Sequence, residues 1–193
     1  MDEQGIDAAV CAGATPDAAS AAGAAVELLL TDNQRTALEH AFADSRSCLM
    51  HDGAMVPFTI LCTSDGFEVT GHPGADPQDV YESVRTLLAR EIPEAYVLAY
   101  DGYVDLATGR EDAIVCEVAR RGEDTAALLA QPYERGEGTY AFAPTFYAVG
   151  QASHLYPAGT KPIVSGLVAL KAERERAGLD GSGLEPHSDV NSE

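Results

Sequence analysis

Apolar positions along this chain follow two rhythms, and the switches between them mark out its elements. From Thr31 the rhythm is helical. Leu38, Phe42, Cys48 and Leu49, helped by Ala41 and Ser45, recur on one helix face. Thr31 precedes this run with Gln34 three positions on, the pairing that satisfies orphan amides at a helix start. The helix is expected to stop before Gly53. Val56 to Thr63 is then rich in strand formers, Ser64-Asp65-Gly66 is a tight-turn signal, and Phe67-Glu68-Val69-Thr70 alternates, which predicts a hairpin. Gly71 to Ala75 breaks the strand. Asp76 caps a second helix with Pro77 in its first turn, where the missing N–H leaves nothing unbonded. Val80, Val84, Leu87 and Leu88, with Tyr81 beside them, form its apolar stripe, and Pro93 ends it.

The remaining pattern is mostly β. Ala95 to Tyr100 and Tyr103 to Leu106 run into a polar turn, Thr108 to Glu111, and return as Ala113 to Ala119. On the returning strand Ile114, Cys116 and Val118 share one face, opposite Val115, Glu117 and Ala119. Residues 123–130 show no clean period and are expected as a short helix or an irregular segment. Thr139 to Val149 reads as one strand, with Pro144 confining it to an edge or marking a bulge. Lys161 to Ala177 carries Ile163, Val164, Leu167 and Val168 at helical spacing and is expected as a last helix, docked on the domain or on a second subunit. Hairpins stand where a doubly wound fold needs crossover helices, so the expected class is α+β. The expected architecture is a single domain, an antiparallel sheet built from hairpins with helices packed against it.

Charge changes the picture mainly at the ends. The chain has 31 acidic and 12 basic residues, and nine of the acids lie in 1–30 and 178–193 with no Lys or Arg among them. The leader mixes Ala, Gly, Ser and Pro with its acids and the tail is rich in Gly and Ser, which predicts a disordered acidic leader over 1–30, a domain over 31–177 and a disordered acidic tail over 178–193. A negative field of this size repels phosphate backbones and anionic lipid, so neither direct nucleic-acid nor membrane binding is expected. No basic n-region precedes the Ala18–Leu30 stretch, and a cytoplasmic location is expected. The cysteines Cys11, Cys48, Cys62 and Cys116 are widely spaced and are expected as reduced thiols, three of them buried as small hydrophobes.

The signatures GxxxxGK[ST], GxGxxG, HExxH, CxxC and GxSxG are absent, and no cofactor is implied. Two local constellations carry chemistry. In the first, His72, Asp76 and Asp79 sit at a strand end, a glycine turn and a helix start, an imidazole and two carboxylates suited to a divalent metal that activates water. The run His72-Pro73-Gly74-Ala75-Asp76 resembles the His-Pro-Ser-Gly…Asp signature of the JAB/MPN metalloproteases. Thr70 stands where that family has a second histidine, and Gly74 stands in place of its serine. The same run also makes a plain turn into a helix, with Asp76 as cap and Asp79 favourable to the helix dipole. In the second constellation Asp101, Tyr103 and Asp105 line one strand face, with Tyr96 and Tyr100 on the other. Tyr100, Asp101, Tyr103 and Asp105 are thus candidates to bind a polar ligand. The simpler reading, and the favoured one, is a solvent-facing strand face with Asp101-Gly102 as a bulge or turn.

The leading expectation is an accessory or regulatory domain without catalysis, acting through contact with another protein or as a homodimer. The alternatives are a metal-assisted hydrolase at His72, Asp76 and Asp79, and an acidic decoy for a nucleic-acid-binding protein.

Overall fold

A computed structural model describes residues 30–74, 76–106 and 109–162. The leader up to residue 29, the tail, and all but the first two residues of the helix expected over 161–177 lie outside the described residues. Helix α1 spans Asp32–Asp52 and begins with the capping box read from the sequence. Gln34 N donates to Thr31 Oγ1, and the Gln34 side chain accepts from Thr31 N at 2.9 Å. It ends at Gly53, whose φ of 72° is the left-handed conformation that a glycine adopts without strain.

Strands β1 (Phe58–Thr63) and β2 (Gly66–Gly71) form the expected hairpin. Helix α2 (Pro77–Glu91) is capped by Asp76, whose Oδ1 accepts from Gln78 N at 2.8 Å. Its last carbonyls are closed by Ile92 in a left-handed conformation, φ 44°. Pro93 follows immediately and disfavours helical backbone at the residue before it. Strands β3 (Ala95–Leu106) and β4 (Gly109–Arg120) make the long central hairpin.

Residues 123–130 depart from expectation. Thr125–Arg135 is strand β5, paired antiparallel with β4. Ala126, Leu128, Leu129 and Ala130 are all buried, so both faces are covered and the polar alternation that betrays a strand is missing. Pro132 is tolerated because the partner on the far side of β5 changes around it. Thr125–Ala130 pairs with β7 (Tyr147–Ser153) and Tyr133–Arg135 pairs with β6 (Tyr140–Phe142). Thr139–Val149 is therefore not one strand but two, broken at Ala143–Phe146 around Pro144.

The result is a seven-stranded antiparallel sheet in the order β2-β1-β3-β4-β5-β6, with β7 also on β5, and one helix on each face. Alternate residues of β3 divide between two cores. Val97 and Ala99 pack with α1 through Leu38, Phe42 and Leu49, while Tyr96, Leu98 and Tyr100 pack with α2 through Val80, Val84 and Leu88. Ile114, Cys116 and Val118 join the α1 side, and Val115 and Ala119 the α2 side, as the pattern predicts. Cys62 and Cys116 are buried, whereas Cys48 is only half-buried. No helix among the described residues is long and apolar enough to cross a membrane.

Candidate functional site

His72 leaves β2 and turns inward, where it is 1% exposed. Both ring nitrogens are engaged by hydroxyls, Nε2 with Thr59 Oγ1 at 2.7 Å and Nδ1 with Ser83 Oγ at 2.8 Å. Its backbone N–H donates to Pro57 O at 2.7 Å. The imidazole thus ties β1 to α2. Burial lowers its pKa from the ordinary histidine range, because the charged form is the one desolvation penalises. Asp76 spends an oxygen on the α2 cap, and Asp79 lies in the first turn of that helix. These three side chains do not converge, and among the described residues no group of three or more His, Cys, Asp or Glu is placed to hold a metal ion.

The second constellation divides between the two faces of β3. Tyr100 points under α2 and donates to Glu117 Oε1 at 3.1 Å. Asp101 points the other way and accepts from Tyr133 Oη at 2.7 Å. The Tyr103 ring lies under the Arg110 guanidinium, 3.8 Å from its centre, and Arg110 Nε donates to Asp105 Oδ1 at 3.2 Å. Asp101 and Tyr133 are brought together, while Tyr103, Asp105 and Arg110 form a separate surface cluster at the hairpin tip.

The alternation of β4 predicts Glu117 on the α2 face but assigns it no role. It is 2% exposed, with Oε1 accepting from Tyr81 Oη at 2.6 Å as well as from Tyr100. Its Oε2 has no hydrogen-bond partner among the described residues. Burial raises the Glu117 pKa above the usual carboxylate range, opposed by the two phenol donors and by the Arg85 charge. Burial and the nearby carboxylate together raise the pKa of Tyr81, Tyr96 and Tyr100 as well. Tyr96 Oη accepts from Leu155 N at 2.9 Å, which anchors the chain leaving β7 to the same polar cluster. The group can hold one proton in a dry setting, with the Glu117 carboxyl buried beneath α2. Its signal in the sequence is one acid in the apolar run Ile114–Ala119, with tyrosines at 81, 96 and 100.

Exposed chemistry gathers at the other margin of the sheet. Strand β2 ends the strand order, pairs only with β1, and has an outer edge that no strand covers among the described residues. Phe67 and Val69 stand opposite Cys62 and Ile60, on the α1 side, yet are 43% and 62% exposed. The α1 cover thins out here: His40 meets Phe67 only at a ring separation of 6.4 Å. No family model, curated protein or solved structure matches the chain.

Proposed function

We propose that this domain acts by protein contact, lending β2 as the edge onto which an extended segment of a partner adds as an eighth strand. One observation carries the reading: among the described residues, β2 is an edge strand with no partner on its outer side. Edge strands are ordinarily blunted by proline, lysine, bulges or a covering element. Gly66–Gly71 contains no proline or lysine, its one charge is Glu68, and its pairing with β1 is in register throughout. Phe67 and Val69 add apolar surface alongside the free backbone. Covering them contributes roughly 1–2 kcal/mol each, since both are already partly covered.

The chemistry of the partner is set by this surface. Alternate residues of the incoming strand face the α1 side, so they are apolar, to meet Phe67 and Val69. Basic residues flank or interleave them, because the chain has 31 acids against 12 bases. Main-chain bonds then supply affinity and the alternate side chains supply choice of partner. A second copy of this chain suits the edge less well, because two bodies of the same strong negative charge repel.

Selection from a display library of random peptides tests this. Enriched peptides are expected to alternate apolar with Lys or Arg and to shift amide resonances of β2. The double variant F67K/V69K, altered at two exposed positions, is expected to fold normally and lose them. Peptides that bind this variant equally well, or that perturb only residues away from β2, would overturn the proposal. Sedimentation of the chain alone reads out self-pairing: a dimer abolished by F67K/V69K would replace the foreign partner by a second copy.

A further inference from the structure

At the opposite end of the strand order from β2, a cleft of about 270 Å³ opens between α1 and the β6–β7 connection. Its walls include Glu39, Phe42, Arg46, Gln131, Thr145 and Phe146. We propose that this cleft is a binding site for a small aromatic carboxylic acid carrying a hydrogen-bond donor away from its carboxylate. The proposal is independent of the edge contact at β2.

Arg46 is the reason for the carboxylate. Its Nη1 donates to Gln131 Oε1 at 2.9 Å, and Gln131 Nε2 donates onward to Ala143 O at 2.7 Å. Gln131 is 5% exposed and both ends of its amide are engaged, so the guanidinium is held from behind by a fixed neutral group. Among the described residues Arg46 meets no carboxylate within ion-pair distance. A half-buried guanidinium oriented by an amide, with no anion beside it among the described residues, is a prepared site. Its remaining N–H groups form a planar fork that matches a carboxylate.

The other walls restrict the rest of the ligand. Phe146 stacks on the buried Phe42 with ring centres 4.8 Å apart and planes 14° from parallel, so Phe42 fixes the half-buried Phe146 ring as the apolar wall of the cleft. A cleft of about 270 Å³, just below the usual size of ligand sites, fits a single ring rather than a nucleotide. Glu39 lies seven residues before Arg46 on α1, a rise of about 10 Å at 1.5 Å per residue. Its carboxylate accepts an N–H or O–H from the far end of the ring. It also disfavours a phosphate, which brings about twice the negative charge of a carboxylate.

The probe is 4-aminobenzoate, followed by calorimetry and by ring-proton saturation transfer from the full chain. Benzoate serves as the ligand lacking the donor, and 4-aminobenzamide as the one lacking the charge. The expected order is 4-aminobenzoate first, benzoate weaker, and 4-aminobenzamide weaker by about tenfold or more, the usual loss for a charge-assisted bond. R46Q is expected to remove the preference for acid over amide. Phe146→Ala is expected to weaken all three probes while keeping their order, and near-normal circular dichroism keeps both variants interpretable. Equal binding of acid and amide, an acid preference that survives in R46Q, or no transfer at millimolar 4-aminobenzoate would overturn the proposal.

Discussion

Glu117 sits where a β pattern asks for an apolar side chain, with Val115 and Ala119 on the same face of β4 and Leu98 opposite it. Two phenols satisfy one carboxylate oxygen, and nothing among the described residues satisfies the other. A raised folded pKa means that the native state holds its proton to higher pH than the unfolded chain does. Over the window from the ordinary carboxylate value up to the folded value, native protein binds more protons, so stability falls as the pH rises. E117Q retains the shape and removes the charge. Urea denaturation is therefore expected to find E117Q more stable than wild type at neutral pH. The gap is about 1–3 kcal/mol, the range for an unsatisfied buried polar group, and it closes as the pH drops toward 4.5. Tyr81→Phe is expected to act in the opposite sense, lowering stability at neutral pH by removing a donor from the charged form. A gap between E117Q and wild type that does not change with pH would mean that the effect is packing rather than charge.

Helix α2 depends on a few such contacts, because the element is short and its apolar stripe is only four residues deep. Asp76→Ala is expected to lower stability by about 1 kcal/mol through loss of the cap, read by urea denaturation. His72 sets a slope opposite to that of Glu117. Its lowered folded pKa means that the unfolded chain takes up the proton first. Stability is thus expected to fall as the pH drops below the ordinary histidine value of 6.5, and H72N should flatten that limb of the curve. Elements of this kind are the ones the sequence announces. The caps at Thr31 and Asp76, the apolar stripes and the Ser64-Asp65-Gly66 turn are local devices, and each lies where the pattern places it. Strand β5 is not announced, since Ala126 to Ala130 buries both faces and leaves no period to read. Pro144, expected within a single edge or bulged strand, instead lies in the break between two strands. The sites are legible only in part. Tyr100 and Asp101 stand out locally, but the partners that give them meaning, Glu117 and Tyr133, lie 17 and 32 residues away. Arg46 has no local signal for the same reason, being paired with Gln131 across 85 residues.

For the whole molecule the governing quantity is a net charge of −19 on 193 residues, and it acts on folding and on partner binding with opposite signs. Compacting the chain brings its carboxylates together, so added salt should stabilise the fold by screening that repulsion. The Debye length shortens from about 30 Å at 0.01 M to about 8 Å at 0.15 M, which covers most separations between surface charges in a domain of this size. The melting temperature is expected to rise by several degrees over that range of sodium chloride and then level off, a change of about 1–2 kcal/mol for a chain of this length. A rise that continues unabated to molar salt would indicate a general effect on apolar burial instead. A basic segment adding to β2 is drawn in by the same charge, so its association rate should fall over the range in which the fold gains stability. The apolar contacts at Phe67 and Val69 are short-ranged and should leave its dissociation rate nearly unchanged. Stopped-flow binding of a selected cationic peptide at the two salt concentrations separates these contributions. An association rate indifferent to salt would show that the acidic surface plays no part in choosing the partner, leaving recognition to the strand edge and its two apolar side chains.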